Sequence, residues 1–380
     1  MRLLPPRLLR RKGRYVLLAA ALALGWSLRP HPASPPTDQA AVPPVRCAGA
    51  PPTAAAPAAP SRLSGRLGLY VAVIDPLTLK PLRAVAQAPD QVFPLASSYK
   101  QAVLWALLKQ VDAGQVKLSE RFDVTTANQS LGNYPHDHSD VRTLAGRMIH
   151  NSDNTATDIL HRRAGLASVQ AIPERLNLCH TRLILPTKTW WTAQAGLSPR
   201  FPGPATFARL RGPDLLQAAE KMDQDAQQLR SDRLQLRLDD YFDHRYAPET
   251  DLGTQNVSTP YEFAQLIAQE FLRPGLSAQG AALQREVMAT GFGRSRLRAP
   301  IRYFGGKGGN GWRLLTYTGY FETPTGEHVV YTFMQHGADQ SYTMHNTAAA
   351  FAWINAAVAE VLKAGDEGHR PGPAVLASRR

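Results

Sequence analysis

The 380-residue chain has only two cysteines, and their positions argue against a thiol enzyme and against a lipoprotein. It contains only Cys47 and Cys179, and neither lies in a setting typical of a catalytic thiol. Cys47 follows Arg46 and lies far beyond the first apolar run, so it is not a lipoprotein cysteine. The sequence leaves open whether the two cysteines form a disulfide, which would suit an exported protein.

The chain also lacks a lysine- and arginine-rich run with interleaved aromatic residues, although its formal net charge is +13. Basic side chains are concentrated in the first fourteen residues: Arg2, Arg7, Arg10, Arg11, Lys12 and Arg14. Without that cluster and the tail the chain is only mildly basic. We therefore expect no nucleic-acid partner.

The apolar run 15–28 is too short to favour a membrane span. A basic segment followed by a short apolar run predicts an export signal, although no A-x-A cleavage site follows. We predict that residues 1–29 are a signal peptide or an N-terminal anchor. The protein is then periplasmic or extracellular, with membrane contact only through this segment.

Composition divides the remaining chain. Residues 30–62 are rich in proline and alanine and are predicted to be a disordered linker, and residues 364–380 a disordered tail. Residues 63–363 form the predicted catalytic domain. Strands expected early (67–74, 82–86) and late (303–306, 314–322, 328–334), with helices between and after them, predict an α+β fold with an antiparallel sheet flanked by helices.

Candidate chemistry begins at Ser97 and Lys100, which open an apolar run of helical spacing. A serine hydroxyl is a poor nucleophile until a base takes its proton. A lysine three residues later lies one turn away on the same helical face. Burial and neighbouring charge lower the pKa of such a lysine, so it can act as a base at neutral pH.

Two further motifs follow in order. Ser152-Asp153-Asn154 suits either a helix N-cap or a second hydroxyl that protonates a leaving nitrogen, with the asparagine positioning substrate. The segment 306–309, which contains Lys307, suits either a glycine-rich turn or a cation for a substrate carboxylate, with glycines that admit a ligand close to the backbone.

Together these motifs resemble the serine β-lactamase and penicillin-binding protein superfamily, and most closely the class A β-lactamases. The segments 93–97, 148–156 and 258–260 are similar to the family's contexts around the nucleophile, the S-D-N motif and a later helix. The resemblance covers 67–362 with one large insertion, at about 187–250. It implies an αβα sandwich with an all-helical subdomain, and no metal or other cofactor.

The resemblance also implies roles for single residues. Ser97 attacks the lactam carbonyl, Lys100 shuttles its proton, and Ser152 donates to the departing nitrogen. Asn154 holds the substrate side chain and Lys100, while Lys307 attracts the substrate carboxylate.

Backbone N–H groups of Ser97 and Asn310 would stabilise the oxyanion. Gly309 belongs to the same substrate-binding strand. Gly308 stands where the family has threonine, which removes a hydroxyl from the carboxylate site, and Arg313 is a candidate substitute.

The base that hydrolyses the acyl-enzyme is the weakest part of the resemblance. Counting forward from 181–183 places the family's glutamate at Thr187, whereas counting back from 259–260 places it at Asp243. We predict Asp243 as the base, with Glu249 as another candidate. The alternative is that both acids are solvated side chains in a charged loop.

Two other clusters have simpler interpretations. His136, Asp137, His138 and Asp140 include metal-ligand types, but their spacing favours a polar loop near the cleft. The pair Trp190-Trp191 favours a packed core within the insertion over a substrate platform.

We therefore predict an exported, monomeric serine hydrolase of the class A β-lactamase type that opens β-lactam rings through an acyl-serine. One alternative is a D,D-peptidase or penicillin-binding enzyme that acts on peptidoglycan peptides. Another is a non-catalytic envelope protein that keeps the cleft for binding.

Overall fold

A computed structural model describes Cys47 and residues 49–132 and 137–367, the last four of them by backbone alone. These residues lie within one compact unit that begins at residue 45. The strands are β1 (Ala54–Ala55), β2 (Arg66–Ile74), β3 (Pro81–Gln87), β4 (Phe93–Pro94), β5 (Arg121–Phe122), β6 (Ser139–Asp140), β7 (Val257–Ser258), β8 (Tyr303–Gly311), β9 (Leu314–Glu322) and β10 (His328–His336).

The α-helices surround this framework. They are α1 (Lys100–Asp112), α2 (Val141–His150), α3 (Asn154–Ala164), α4 (Leu166–Arg175), α5 (Thr187–Gln194), α6 (Pro204–Phe207), α7 (Gly212–Gln227), α8 (Ser231–His244), α9 (Pro248–Thr254), α10 (Pro260–Leu272), α11 (Ala278–Ala289) and α12 (Thr347–Glu367). Short 3₁₀ helices span Ala96–Tyr99, Arg294–Arg296 and Thr343–Asn346. Among the described residues, no helix is both long and apolar enough to cross a bilayer.

The main sheet has the spatial order β1-β3-β2-β10-β9-β8. All of its pairings are antiparallel except that of β1 with β3. Strand β8 forms one edge, and its residues 307 and 309 pair with 318 and 316 of β9. The free side of β8 faces the 3₁₀ helix 96–99 and helix α11, so the third motif lies beside the first.

Alternation along the strands builds a core on each face of the sheet. In β2, Leu69 and Val71 pack with α12, whereas Tyr70 and Ala72 pack with α1 and α10. Strand residues alternate between faces with a period of two, so both sets are buried. The result is the predicted α+β fold, an antiparallel sheet between helical layers, and this prediction is confirmed.

The end of the predicted linker is more ordered than its sequence suggested. Within the predicted linker, β1 pairs with β3, and the Trp353 indole N–H donates to the Pro57 carbonyl at 2.7 Å. Cys47 forms a disulfide with Cys179, with a Cα–Cα distance of 5.7 Å. The end of the linker is therefore packed against the folded unit, because sheet pairing and the disulfide offset its weak propensity.

Candidate active site

Ser97 lies at the junction between β4 and α1, on the 3₁₀ helix that precedes α1. Ala96 just before it has φ +45°, a left-handed conformation that turns the chain sharply toward the helix. The Ser97 side chain is partly exposed, as a nucleophile must be. Its hydroxyl hydrogen-bonds to no other described residue, so it is free to approach Lys100 or a substrate.

Lys100 is fully buried and lies between the two segments that follow it in the motif order. Its Nζ donates to the Ser152 carbonyl and to Asn154 Oδ1, both at 2.7 Å, and to Ser152 Oγ at 3.3 Å. Burial lowers the pKa of Lys100 well below its ordinary value, and the positive charge of Lys307 lowers it further. The lowered pKa makes it easier for Lys100 to give up a proton and to act as a base than for an ordinary lysine.

Ser152 occupies a tight turn between α2 and α3, with φ +56°. Asp153 holds this turn in two ways. Its Oδ1 caps α3 by accepting from the Ala156 N–H at 3.1 Å, and its other oxygen pairs with Arg147 of α2. The capping role anticipated for this motif and the placement of Ser152 toward Lys100 are thus parts of one local structure.

Lys307 approaches the same hydroxyl from the edge of the sheet. Its Nζ donates to Ser152 Oγ at 2.9 Å and to the Gly308 carbonyl at 2.6 Å. Burial lowers the pKa of Lys307 to about 7. Because Ser152 Oγ accepts from both lysines, its own proton is available to a leaving group.

Gly309 is the point at which β8 touches the nucleophile. A Cβ added there would lie 2.6 Å from the Ser97 backbone nitrogen and 2.9 Å from the Leu95 carbonyl oxygen. No side chain fits at that distance, so glycine lets β8 approach Ser97 closely. Asn310 follows at the exposed end of β8, which brings the two expected oxyanion donors into adjacent segments.

Gly308 faces the opposite side of the sheet from Gly309. A Cβ there would lie 3.1 Å from the Tyr317 ring, which is tighter than ordinary van der Waals contact. Tyr317 stacks on Phe292 at 5.5 Å and has no room to withdraw without disturbing that pair. Threonine at 308 would crowd this ring.

Arg313 lies in the β8–β9 turn, and its Nε has no hydrogen-bond partner within the described chain.

Thr187, the forward-counted position, does lie beside the site. It begins α5, and its hydroxyl is 3.5 Å from the Asn154 carbonyl. That hydroxyl donates to Asp158 at 2.6 Å and is 3.0 Å from Ser130 Oγ. Burial raises the pKa of Asp158, whose oxygens also accept from two backbone N–H groups of α5. A hydroxyl therefore stands where the resemblance predicts a glutamate.

The structure does not bring Asp243 or Glu249 to these residues. Asp243 is exposed near the end of α8, and Glu249 is exposed in the first turn of α9. Within the described ranges, no carboxylate hydrogen-bonds to Ser97, Lys100 or Ser152. The backward count failed because the insertion lies between Thr187 and β7, after the position that it was meant to locate.

Much of the insertion is helical, and α8 lies beside the site. Ser231 at its start donates to the Gln129 carbonyl at 2.9 Å. Phe242 near its end stacks on Trp312 at 5.3 Å, two residues beyond Asn310. Leu234 and Leu238 on the same face pack against Leu131, whose carbonyl accepts from Asn154 Nδ2 at 3.1 Å. The apolar spacing 234-238-241 was a signal for this helix.

The remaining clusters are structural. Trp190 is buried and packs edge-on against Tyr99 at 5.3 Å, as expected of an insertion core. His138 pairs with Asp123 in an exposed loop, and Asp140 caps α2. No cluster of metal-ligand side chains occurs among the described residues, and His136 lies outside them.

Comparison with known proteins agrees with this geometry. The model of the beta-lactamase enzyme family (Beta-lactamase2) matches residues 62–364. No curated protein sequence matches the chain.

Similar solved structures include an ancestral class A β-lactamase (GNCA), with TM-score 0.53 and 20% identity over 80% of this chain and 95% of that one. A β-lactamase from Xanthomonas campestris pv. campestris has TM-score 0.54 and 16% identity over 79% and 93% of the two chains. One from Sphaerobacter thermophilus has TM-score 0.53 and 18% identity over 79% and 91%. At these identities the structures show a shared fold, whereas the family model covers most of the chain. The chain therefore belongs to the beta-lactamase enzyme family and is class A serine β-lactamase-like.

Proposed function

We propose that the protein is a serine hydrolase that opens β-lactam rings through an acyl-enzyme on Ser97. The observation that carries the proposal is the position of Lys100, buried and hydrogen-bonded to Ser152 and Asn154, with a lowered pKa. A buried lysine with a lowered pKa beside a partly exposed serine is an arrangement that suits nucleophilic catalysis.

Acylation follows from these contacts. Ser97 Oγ attacks the lactam carbonyl carbon while its proton passes to Lys100 Nζ. Backbone N–H groups of Ser97 and Asn310 stabilise the oxyanion. The C–N bond then breaks, the nitrogen takes the Ser152 proton, and Lys100 returns its extra proton to Ser152 across their 3.3 Å contact. Lys307 holds the substrate carboxylate and stabilises the transient charge on Ser152.

Hydrolysis of the acyl-enzyme has weaker support. Water must lose a proton as it attacks the ester, and Thr187 supplies no basic group where the family has one. This observation favours a second candidate, a D,D-peptidase or penicillin-binding enzyme that acts on peptidoglycan peptides. Such an enzyme is acylated by β-lactams and releases the product slowly.

Mass spectrometry over time separates these functions. The protein is mixed with a penicillin, and the covalent adduct is followed from seconds to hours, with Ser97→Ala as the control. An adduct that forms and decays while substrate is consumed supports the β-lactamase. A stoichiometric adduct that persists supports the penicillin-binding enzyme. If the wild type forms no adduct and consumes no penicillin, the cleft is non-catalytic and the proposal fails.

We also propose that the protein is exported and acts as a monomer on a small β-lactam or peptidoglycan peptide. The Cys47–Cys179 disulfide supports export, because such bonds persist in oxidising compartments. If the signal is cleaved, the cut must fall before Cys47. Mass determination of the mature protein from the periplasm or medium tests this, and a reduced, uncleaved cytosolic form would contradict it.

A further inference from the structure

We propose that a cavity remote from Ser97 binds a single-chain amphipathic carboxylate, with Arg182 as the residue that pairs with its headgroup. The cavity has a volume of about 710 Å³, which is within the range of small-molecule sites. It lies between α4, the segment before α5, and α7. None of the described residues that line it takes part in the acylation site.

The wall of this cavity is mainly apolar. It includes Val92, Pro173, Leu178, Leu215, Leu252 and Val257. Such a lining stabilises a hydrocarbon chain by removing it from water. Headgroup specificity must come from the few polar side chains among them.

Arg182 is the buried cation of this wall, with 6% of its surface exposed. Its backbone pairs with Val257, which fixes its position next to β7. Its Nη2 donates to the carbonyls of Leu252 at 2.9 Å and Gln255 at 2.8 Å, and its guanidinium lies over the Phe207 ring at 4.8 Å.

These contacts leave the guanidinium without an anion. No described carboxylate forms an ion pair with Arg182, and its Nε, although buried, has no hydrogen-bond partner. A buried charge without a counter-ion is strongly unfavourable. Burial, together with the positive charge of nearby Arg211, lowers the pKa of Arg182 to about 9. A bound carboxylate would supply the missing charge.

Of the other charged groups that line the cavity, Arg211 favours the same ligand, whereas Glu174 does not. Arg211 lines it too, donates only to backbone carbonyls and forms no ion pair with any described residue. Glu174 is exposed at the cavity and accepts from Gln170 at 3.3 Å. His180 is already bound to Glu262. Arginine forms strong, charge-assisted hydrogen bonds with carboxylates, so a carboxylate with an apolar chain matches both the cation and the wall.

Calorimetric titration of the full chain with dodecanoate, below its micelle concentration, tests the proposal. We expect saturable binding of one dodecanoate per chain. Acetate tests the headgroup alone, and dodecanol tests the chain alone; both should bind at least about tenfold more weakly. Equal binding of dodecanol would overturn the proposal, as would the absence of saturable binding.

The variants locate the site. Arg182→Met keeps an unbranched apolar side chain without the charge and should weaken dodecanoate binding by about tenfold or more. Arg237→Met removes an exposed arginine from α8, outside the cavity, and should leave binding unchanged. Retained affinity in Arg182→Met would mean that Arg182 only braces the backbone carbonyls.

If circular dichroism shows that Arg182→Met does not fold, Arg211→Gln decides. A several-fold weaker affinity for dodecanoate in Arg211→Gln supports the proposal, and unchanged affinity overturns it. Acylation of Ser97 by penicillin is measured in parallel. It should be unaffected in every variant, which separates this cavity from the proposed enzymatic function.

Discussion

Asn154 lies between two regions that differ in the side chains they offer for catalysis. On one side, its amide oxygen accepts from Lys100, and two lysines converge on the Ser152 hydroxyl. On the other, its carbonyl faces the Thr187 hydroxyl, which is already committed to Asp158. Under the proposed function, the first region forms the ester bond, and the second lacks a free base to break it. The two half-reactions would then depend on separate parts of this chain.

The largest expected effect is on the acylation side. Lys100→Met removes the proton acceptor and should slow acylation by about 10²–10⁴-fold, the range for a positioned general base. Stopped-flow measurement of acylation by a chromogenic cephalosporin gives the rate. Lys117→Met, which removes an exposed lysine beyond α1, should acylate normally. A Lys100→Met rate close to wild type would show that another group takes the Ser97 proton.

The next largest expected effect is on deacylation, in a variant that adds a base to the second region. Thr187→Glu, combined with Asp158→Asn to avoid like-charge repulsion, places a base beside Asn154. We expect deacylation to accelerate by about tenfold or more, with acylation little changed. Adduct lifetime is measured by mass spectrometry, with Thr187→Gln/Asp158→Asn as the uncharged control. If both double variants release the adduct equally fast, the missing carboxylate does not limit turnover.

A smaller effect concerns pH. The Lys307 ammonium is charged below its pKa of about 7 and neutral above it. Affinity for a β-lactam carboxylate should therefore fall several-fold as pH rises from about 6 to 9. Lys307→Met should bind weakly at every pH. A pH-independent affinity in the wild type would exclude Lys307 as the carboxylate's partner.

The same titration affects stability with a definite sign. In the unfolded chain a lysine keeps its proton up to about pH 10, whereas folded Lys307 loses it near pH 7. The unfolded state thus binds more protons between these values, so stability should rise with pH across this window. Urea denaturation at several pH values should show a flatter dependence in Lys307→Met. An unchanged slope would contradict the lowered pKa.

The smallest effect concerns the insertion. Phe242→Ala removes the stack on Trp312 and should lower the free energy of unfolding by about 0.5–1.5 kcal/mol beyond the loss of buried area. Because α8 links the Leu131 and Trp312 sides of the site, acylation by β-lactams with large side chains should change more than acylation by small ones. Leu236→Ala, on the exposed face of α8, is the control and should alter neither measurement.

The parts of the fold that sequence predicts well are those with a strong local pattern. Strand β9 was expected at 314–322 and spans Leu314–Glu322, a run rich in aromatic and apolar residues that is buried throughout. Strand β8 extends beyond its expected end at 306 to Gly311. Its glycines have weak strand propensity, and pairing with β9 overrides that weakness.

The candidate site divides in the same way. The ordered motifs predicted Ser97, Lys100, Ser152 and Lys307, and the structure brings the last three into hydrogen-bond contact. Motif spacing could not predict the position of Asp243, because the two flanking motifs carry no information about the helices inserted between them. Its exposed position depends on how α8 packs, which long-range contacts decide.

The left-handed turns at Ala96 and Ser152 lower the stability of the folded chain at the acylation site. Non-glycine residues in that conformation are strained by about 1–3 kcal/mol each, and one lies beside each hydroxyl of the acylation site. Ala96→Gly would relax the first of these turns. It should stabilise the fold but position Ser97 less precisely. The backbone at Ala96 therefore links two properties of this chain, because the substitution that relaxes the turn also loosens the segment that positions Ser97.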